Sequence, residues 1–176
     1  MIKRNLLITG PPRCGKSTVI EKVVGQIERP ATGFFTREIR EKGKRVGFSI
    51  TTLDGRGGIL AHQNIVSRFH VGKYGVSIED IENIAVAAMI PKGKGEVAII
   101  DEIGKMECFS LMFRETLIQV LDLPNWVIAS IAQKGGPFIQ SIKEREDVFV
   151  ISVTTENRDM LVEQIMDCIK YCAGTA

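Results

Sequence analysis

The segment 10–17 combines glycines, a lysine and a serine in the spacing of a phosphate-binding loop. It reads Gly-Pro-Pro-Arg-Cys-Gly-Lys-Ser and satisfies the pattern G-x-x-x-x-G-K-[ST]. In such a loop the backbone N–H groups surround the phosphates, the lysine reaches the β- and γ-phosphates, and the hydroxyl binds Mg²⁺. We therefore expect Lys16 to be catalytic and Ser17 to be a metal ligand. The predicted nucleotide-binding residues of this loop are Gly10, Pro11, Pro12, Arg13, Cys14, Gly15, Lys16, Ser17 and Thr18.

A pair of acidic residues after an apolar run supplies a second part of the same chemistry. The run 97–100 reads Val-Ala-Ile-Ile and is followed by Asp101 and Glu102. Ligands gather at the carboxyl ends of parallel strands, so Asp101 is expected to face the loop and bind Mg²⁺ together with Ser17, through water. Glu102 points differently and is predicted to activate a water molecule. Asp101 and Glu102 are both also predicted to be nucleotide-binding residues. The alternative for this pair alone is a helix cap at a strand end.

The sequence leaves open the roles of the other charged residues near these motifs. Any of four arginines could stabilise transition-state charge, and the sequence does not choose among them: Arg13, Arg56, Arg145 and Arg158. Lys105 could reach phosphate oxygens or pair with Glu107 on the surface. The string 101–104 also fits the GTPase pattern D-x-x-G, but no N-K-x-D follows it, which disfavours a guanine-specific switch. Cys14 is interpreted as filling the loop rather than as a redox switch.

The elements that must position these residues fall into two patterns. After the helix predicted over 18–27, three strand-like runs (31–40, 45–53 and 58–62) are separated by turn sequences, which predicts an antiparallel meander over about 31–62. The segment 71–77 is interpreted as a loop, with Ser77 as the N-cap of a helix over 78–90.

The second half of the chain alternates strands and helices. Strands are predicted over 97–100, 126–132 and 148–153, and helices over 106–121, 137–145 and 155–171. Continuous apolar strands that alternate with helices indicate a mostly parallel sheet covered on both faces. The predicted fold class is therefore a three-layer α/β fold with the meander at or against one edge of the sheet.

Composition restricts the classes of function. The 176 residues are 44% hydrophobic and 25% charged, with a net charge of +2, so we expect one domain over 1–176. No charge excess indicates nucleic acid or an anionic membrane, and no apolar segment is long enough to span a bilayer. A secretory leader is not evident, so a cytoplasmic protein is expected. The four cysteines lack the paired spacing of a zinc site.

Three segments together resemble the cancer-related nucleoside-triphosphatase family, which comprises small P-loop NTPases first described from thermophilic prokaryotes. They are the loop with Thr18, the string DEIGKME at 101–107, and the string TTENRD at 154–159. The resemblance runs through nearly the whole chain. It implies a RecA-like variant of the P-loop fold and Mg²⁺-dependent hydrolysis of nucleoside triphosphates (ATP, GTP, CTP and UTP) to diphosphate and phosphate, with low base specificity.

Two other functions use the same loop and stay open at this point. A nucleotide or small-molecule kinase would transfer the γ-phosphate to an acceptor other than water, and such enzymes usually close an arginine-rich lid over it. A nucleotide-driven binding switch would hydrolyse slowly and respond to a partner. The partners expected here are nucleoside triphosphates, and the protein is expected to be a monomer.

Overall fold

A nine-stranded mixed sheet forms the centre of the molecule in the computed structural model, which describes residues 3–171. The strands are β1 (Asn5–Thr9), β2 (Ala31–Glu41), β3 (Lys44–Thr52), β4 (Gly57–His62), β5 (His70–Val71), β6 (Tyr74–Val76), β7 (Val97–Ile103), β8 (Val127–Ile131) and β9 (Val148–Ser152). The helices are α1 (Lys16–Val24), α2 (Ile78–Asp80), α3 (Leu111–Asp122), α4 (Pro137–Lys143) and α5 (Arg158–Tyr171). A π-helical segment (Ile81–Val86) continues α2, and a 3-10 turn (Glu107–Phe109) precedes α3.

The sheet has two parts that differ in strand direction. Its order is β5-β6-β4-β3-β2-β7-β8-β1-β9, and all neighbours from β2 to β9 in that order are parallel. From β2 outward to β5 the neighbours are antiparallel. We call residues 36–76, which hold the far end of β2 and strands β3 to β6, the antiparallel extension. The predicted meander and mostly parallel α/β sheet are confirmed, and the meander continues the sheet at one edge.

Helices cover both faces of the sheet and produce the expected three layers. Leu6 and Ile8 of β1 pack with the buried residues of α1 and α5, whereas Leu7 points to the opposite face. That second face is covered by α3, α4 and the π-helical segment. The alternation along β1 follows from the two-residue period of a strand, and full burial on both faces explains its continuous apolar sequence.

Backbone geometry fixes the extension onto the parallel strands. Lys42 and Gly43 both have positive φ, 47° and 78°, as a two-residue type I′ hairpin turn requires. At Gly33 a Cβ atom would lie 1.9 Å from the carbonyl oxygen of Ile99 on β7. Glycine at this position therefore permits the close approach of β2 to β7.

Three local predictions differ from the structure. The segment 71–77 is not a loop throughout, because β5 and β6 form a hairpin around Gly72, whose φ is 58°. The helix over 78–90 keeps its predicted cap, in which Ser77 Oγ accepts from the Asp80 N–H at 3.2 Å. It widens to π-helical winding over Ile81–Val86, which brings the buried residues Ile81, Ala85 and Val86 to one face.

The helix predicted over 106–121 is interrupted at Ser110. Its hydroxyl oxygen accepts from the Phe113 N–H at 3.0 Å and caps α3, so the chain before it forms only a 3-10 turn. Local side-chain hydrogen bonds of this kind favour caps over helix interiors. Among residues 3–171, no helix is long and apolar enough to cross a bilayer.

Candidate functional site

The phosphate-binding loop connects β1 to α1 at the carboxyl edge of the sheet. Gly15 has a φ of 104° and immediately precedes Lys16, the first residue of α1. No side chain of the described residues caps this helix start. Its first N–H groups therefore face the loop, which is the arrangement that binds phosphate at a helix N-terminus.

The Cys14 side chain packs beneath the loop, in the hydrophobic core. It is buried among the apolar side chains between the sheet and helices α1 and α5. A Cβ atom on Gly10 would lie 2.8 Å from Cys14 Sγ and 2.7 Å from the carbonyl oxygen of Val153. The loop is therefore packed tightly against its surroundings, and Cys14 has the loop-filling role predicted for it.

Lys16 folds back over the loop that carries it. Its ammonium group donates to the carbonyl oxygens of Gly10 at 3.1 Å and Pro11 at 3.3 Å. It also lies close enough to Glu102 for its positive charge to lower the pKa of that carboxyl. The ammonium group thus lies between the loop backbone and the acidic residues of β7.

Asp101 is joined to the loop by a hydrogen bond. Ser17 Oγ donates to Asp101 Oδ1 at 3.1 Å, and Ser130 Oγ on β8 donates to the same atom at 3.1 Å. The carboxyl is 1% exposed, and its Oδ2 has no hydrogen-bond partner among residues 3–171. Burial raises the pKa of Asp101 to about 6, against the lowering effect of the two hydroxyls.

The position of Asp101 and Glu102 along the chain differs from the prediction in one respect. Both lie within β7, which extends to Ile103, and not after the end of the strand. The pairing of β7 with β8 shifts register between Ile100 and Ile103, so the two acidic residues stand where the regular ladder is interrupted. Because successive side chains alternate, Asp101 is buried and Glu102 lines a cavity.

Glu102 and Glu107 face each other across Gly104. A Cβ atom on Gly104 would lie 2.9 Å from Glu107 Oε2 and 3.4 Å from Glu102 Cδ. Burial is the main cause that raises the pKa of Glu102, while Lys16 opposes it. Glu107 is 3% exposed, and burial, followed by the charge of Glu102, raises its pKa to about 8. The alternative of a surface pair between Lys105 and Glu107 is therefore wrong, because Glu107 is interior.

A cavity of about 720 Å³ brings these groups together, within the usual size range of small-molecule sites. One wall is the loop with Thr18, and another is formed by the antiparallel extension through Phe48, Leu60 and Val71. The basic residues that line it are Arg13, Lys16, Arg37, Arg45, Lys105 and Lys134. The acidic ones are Glu38, Glu102 and Glu107. The excess of cations is suited to a polyanionic ligand.

The four candidate arginines are distributed unequally. Arg13 lines the cavity and has an unusual positive φ of 66° for a residue with a side chain. Arg158 lies beside Gly15. Arg56 pairs with Asp54, and Arg145 pairs with Asp122 and Asp147, all outside the cavity lining.

Four of the residues that line the cavity were not predicted from the sequence to belong to the site. Arg37 and Arg45 belong to the extension, and Ser130 belongs to β8. Glu107 begins the 3-10 turn, five residues after Glu102. Arg37 donates to Glu21 at 2.8 Å, and Arg45 donates to Glu38 at 2.8 Å. Only the strand order brings Arg37, Arg45 and Ser130 to the site, whereas Glu107 lies close to Glu102 along the chain and within the string DEIGKME.

Comparison with known proteins identifies a family and several similar chains. A family model described as NTPase matches residues 5–166. The nucleoside-triphosphatase THEP1 of Thermotoga sp. (strain RQ2) is 42% identical over 170 residues, which cover 96% of this chain and 97% of that protein.

Two solved structures resemble the fold closely. The crystal structure of THEP1 from the hyperthermophile Aquifex aeolicus has a TM-score of 0.85 and 35% identity, covering 94% of this chain and 98% of that one. The solution structure of a human cancer-related nucleoside triphosphatase has a TM-score of 0.81 and 34% identity, covering 96% and 98%. The similarity therefore includes both halves of the sheet.

Proposed function

The chain belongs to the NTPase family, and from this membership we propose that it hydrolyses nucleoside triphosphates to nucleoside diphosphate and phosphate. The observation that carries the proposal is the hydrogen bond at 3.1 Å from Ser17 on the loop to Asp101 on β7. It joins a phosphate-binding loop to an acidic residue of the neighbouring sheet, the two parts that triphosphate hydrolysis uses. The curated relatives carry nucleoside-triphosphatase names, which support the same activity.

The phosphates are proposed to bind along residues 10–18. The backbone N–H groups of the loop and of the start of α1 would surround the anion, since the described side chains leave this helix start uncapped. Lys16 would exchange its two carbonyl contacts for oxygens of the β- and γ-phosphates. Low base specificity is part of the proposal, because residues 10–18, Asp101 and Glu102 would act on the phosphates, the metal and the water rather than on the base.

Mg²⁺ is the proposed cofactor, and the oxygen donors present suit it. The Ser17 hydroxyl and the Asp101 carboxylate stand together, and Asp101 Oδ2 is buried without a hydrogen-bond partner among the described residues. Mg²⁺ in such enzymes is usually held by one or two carboxylates, water and substrate phosphates. Ser17 would hold the ion directly and Asp101 through water, and the bound ion would neutralise charge that develops on the phosphates.

Glu102 is proposed to orient the attacking water and take its proton. The water oxygen forms a bond to the γ-phosphorus while the bond from that phosphorus to the β–γ bridging oxygen breaks. The proton goes to the Glu102 carboxylate and then to the phosphate product. Lys16 beside Glu102 stabilises the ionised form of the base before attack. A base placed in this way contributes about 10²–10⁴-fold to rate.

Phosphate release from a nucleotide panel tests this function. Wild-type protein is incubated with ATP, GTP, CTP or UTP, with Mg²⁺ or with EDTA, and we expect Mg²⁺-dependent release from all four. Strict dependence on one base would contradict low specificity. Transfer of the γ-phosphate to an added nucleoside monophosphate or small alcohol, with little free phosphate, would establish a kinase instead. Slow release that a partner accelerates would favour a switch.

A further inference from the structure

The segment 154–159 is the one motif of the resemblance that the proposed hydrolytic site does not use. It forms the connection from β9 to α5, and Asn157 holds its shape. The Asn157 side chain accepts from the Thr154 N–H at 2.8 Å and donates to the Ser152 carbonyl at 2.9 Å. The next residue, Arg158, therefore leaves a connection that is fixed by side-chain hydrogen bonds.

Arg158 lies against the phosphate-binding loop. A Cβ atom on Gly15 would be 3.3 Å from Arg158 Cδ and 3.7 Å from its Nη1. The residue is exposed overall, and it does not line the cavity, whereas Gly15 and Thr18 do. Its guanidinium thus stands at the rim of the cavity, just outside the loop.

The order of strands determines which end of a bound triphosphate faces this rim. Glu102, which must meet the γ-phosphate, lies on β7, and the order across the sheet is β7-β8-β1-β9. In the proposed site the phosphate chain would lie over the loop that follows β1. The nucleoside end must therefore point away from β7, towards the side of β9 from which Arg158 extends.

We propose that Arg158 is a nucleotide-binding residue whose guanidinium stacks on the nucleobase of the bound triphosphate. The inference rests on the proposed function and deepens it, because it assigns a group that holds the base. A guanidinium is planar, stacks on aromatic faces and attracts their π-electrons. Every base has such a face, so stacking is tolerant of base identity. Purine and pyrimidine triphosphates would accordingly bind with similar affinity.

Binding to matched ligands with and without a base tests this role. Calorimetry with Mg²⁺ would compare the non-hydrolysable imido analogues of ATP, GTP and UTP with inorganic tripolyphosphate, on wild type and Arg158→Ala. We expect the variant to bind all three analogues about five- to tenfold more weakly and tripolyphosphate equally well. Arg158→Lys keeps the charge without the plane and should recover less than half of the lost affinity.

The control variant is Lys22→Ala. Lys22 on α1 pairs with Asp159 at 2.7 Å, so this change loosens the same junction of α1 and α5 without touching the guanidinium. It should leave all affinities unchanged within about twofold. An equal loss in Lys22→Ala and Arg158→Ala would overturn the inference in favour of a structural role.

Other outcomes also overturn it. Weaker binding of tripolyphosphate to Arg158→Ala would show that Arg158 contacts phosphate. A loss of affinity for only one base would show that it recognises the edge of that base. Full recovery of affinity in Arg158→Lys would show that its charge suffices without the planar guanidinium. Unchanged binding throughout would remove Arg158 from the site. Phosphate release by wild type is measured separately, so that binding without hydrolysis would contradict the proposed function while leaving stacking tested.

Discussion

The parallel strands and the antiparallel extension line one cavity, yet they hold their charged groups in opposite ways. In the parallel part, Asp101 on β7 and Glu107 in the turn that follows β7 are interior, and burial raises the pKa of each, to about 6 and about 8. In the extension, charges are exposed and neutralised by neighbours, as where Arg40 and Arg45 hold the pKa of Glu38 below its usual value. A buried carboxyl is costly to the fold and is kept where chemistry needs it.

The two parts of the sheet are therefore expected to have different tasks. The groups proposed to bind phosphate, hold the metal and act as the base lie in the parallel part, where the loop and β7 meet. The extension supplies a wall, in which Arg45 donates to Tyr74 Oη at 3.1 Å and lies over the ring of Phe48 at 5.1 Å. Because the proposed metal ligands and the proposed base all lie outside the extension, we expect the extension to shape the cavity more than to drive the reaction.

The largest effect is expected in the parallel part, for Lys16→Ala. Removing an ammonium that pairs with phosphate should lower kcat/KM for triphosphate hydrolysis about a thousandfold, or roughly 4 kcal/mol. Steady-state phosphate release and calorimetric binding would measure it. Lys22→Ala on the same helix serves as the control and should lose less than twofold. A small effect of Lys16→Ala would mean that the loop does not hold the reacting phosphates.

The second effect separates binding from chemistry in the same part. Glu102→Gln keeps the size of the side chain and removes the base, so kcat should fall at least about a hundredfold while triphosphate affinity stays within a few fold. Single-turnover phosphate release and calorimetry would establish the two numbers. Unchanged turnover would remove Glu102 from the mechanism.

A third test addresses the extension through two arginines that share Glu38. Arg45→Ala removes a cavity-lining side chain with its ring contacts, and we expect turnover to fall less than tenfold and stability to fall by about 1 kcal/mol. Arg40 pairs with Glu38 but does not line the cavity, so Arg40→Ala should change both turnover and stability by less than Arg45→Ala does. Turnover assays and urea unfolding would measure them. A thousandfold loss in Arg45→Ala would place transition-state stabilisation in the extension and contradict a role limited to shaping the cavity.

The last test concerns stability and not turnover, at the buried carboxyl of Glu107 in the turn that follows β7. Because the folded pKa of Glu107 is raised from 4.5 to about 8, its contribution to stability is greatest below pH 4.5 and is lost as the pH rises through 8. Without nucleotide, Glu107→Gln should therefore have the higher Tm at pH 9, by about 2–4 °C for each kcal/mol gained. Thermal unfolding between pH 5 and 9 would show the two curves separate as the pH rises. Glu115→Gln, a substitution at an exposed position of α3, serves as the control, and its Tm should follow that of wild type at every pH. If the Tm of Glu107→Gln also followed wild type, the prediction of a buried ionisable carboxyl at position 107 would be wrong.

Local patterns predicted much of the fold. The hairpin turn at Lys42 and Gly43, the cap at Ser77 and the alternation of strands and helices depend on neighbours in sequence, and the structure agrees with each. Two of the misassigned segments are places where one residue redirects the chain. Gly72 turns the chain between the short strands β5 and β6, and Ser110 caps the start of a new helix. The short strand β6 depends on its pairing with β4, and no local sequence pattern reveals that pairing.

By itself the sequence determined the phosphate-binding loop, its lysine and serine, and the acidic residues expected opposite, because these roles depend on backbone conformation and side-chain chemistry over a few residues. Tertiary structure alone decided which distant groups complete the site. Ser130 reaches Asp101 and Arg45 reaches Tyr74 across separations of 29 residues, and Arg158 meets Gly15 only because β9 pairs with β1. Burial, which raises the pKa of Glu107, is likewise a property of the packed whole.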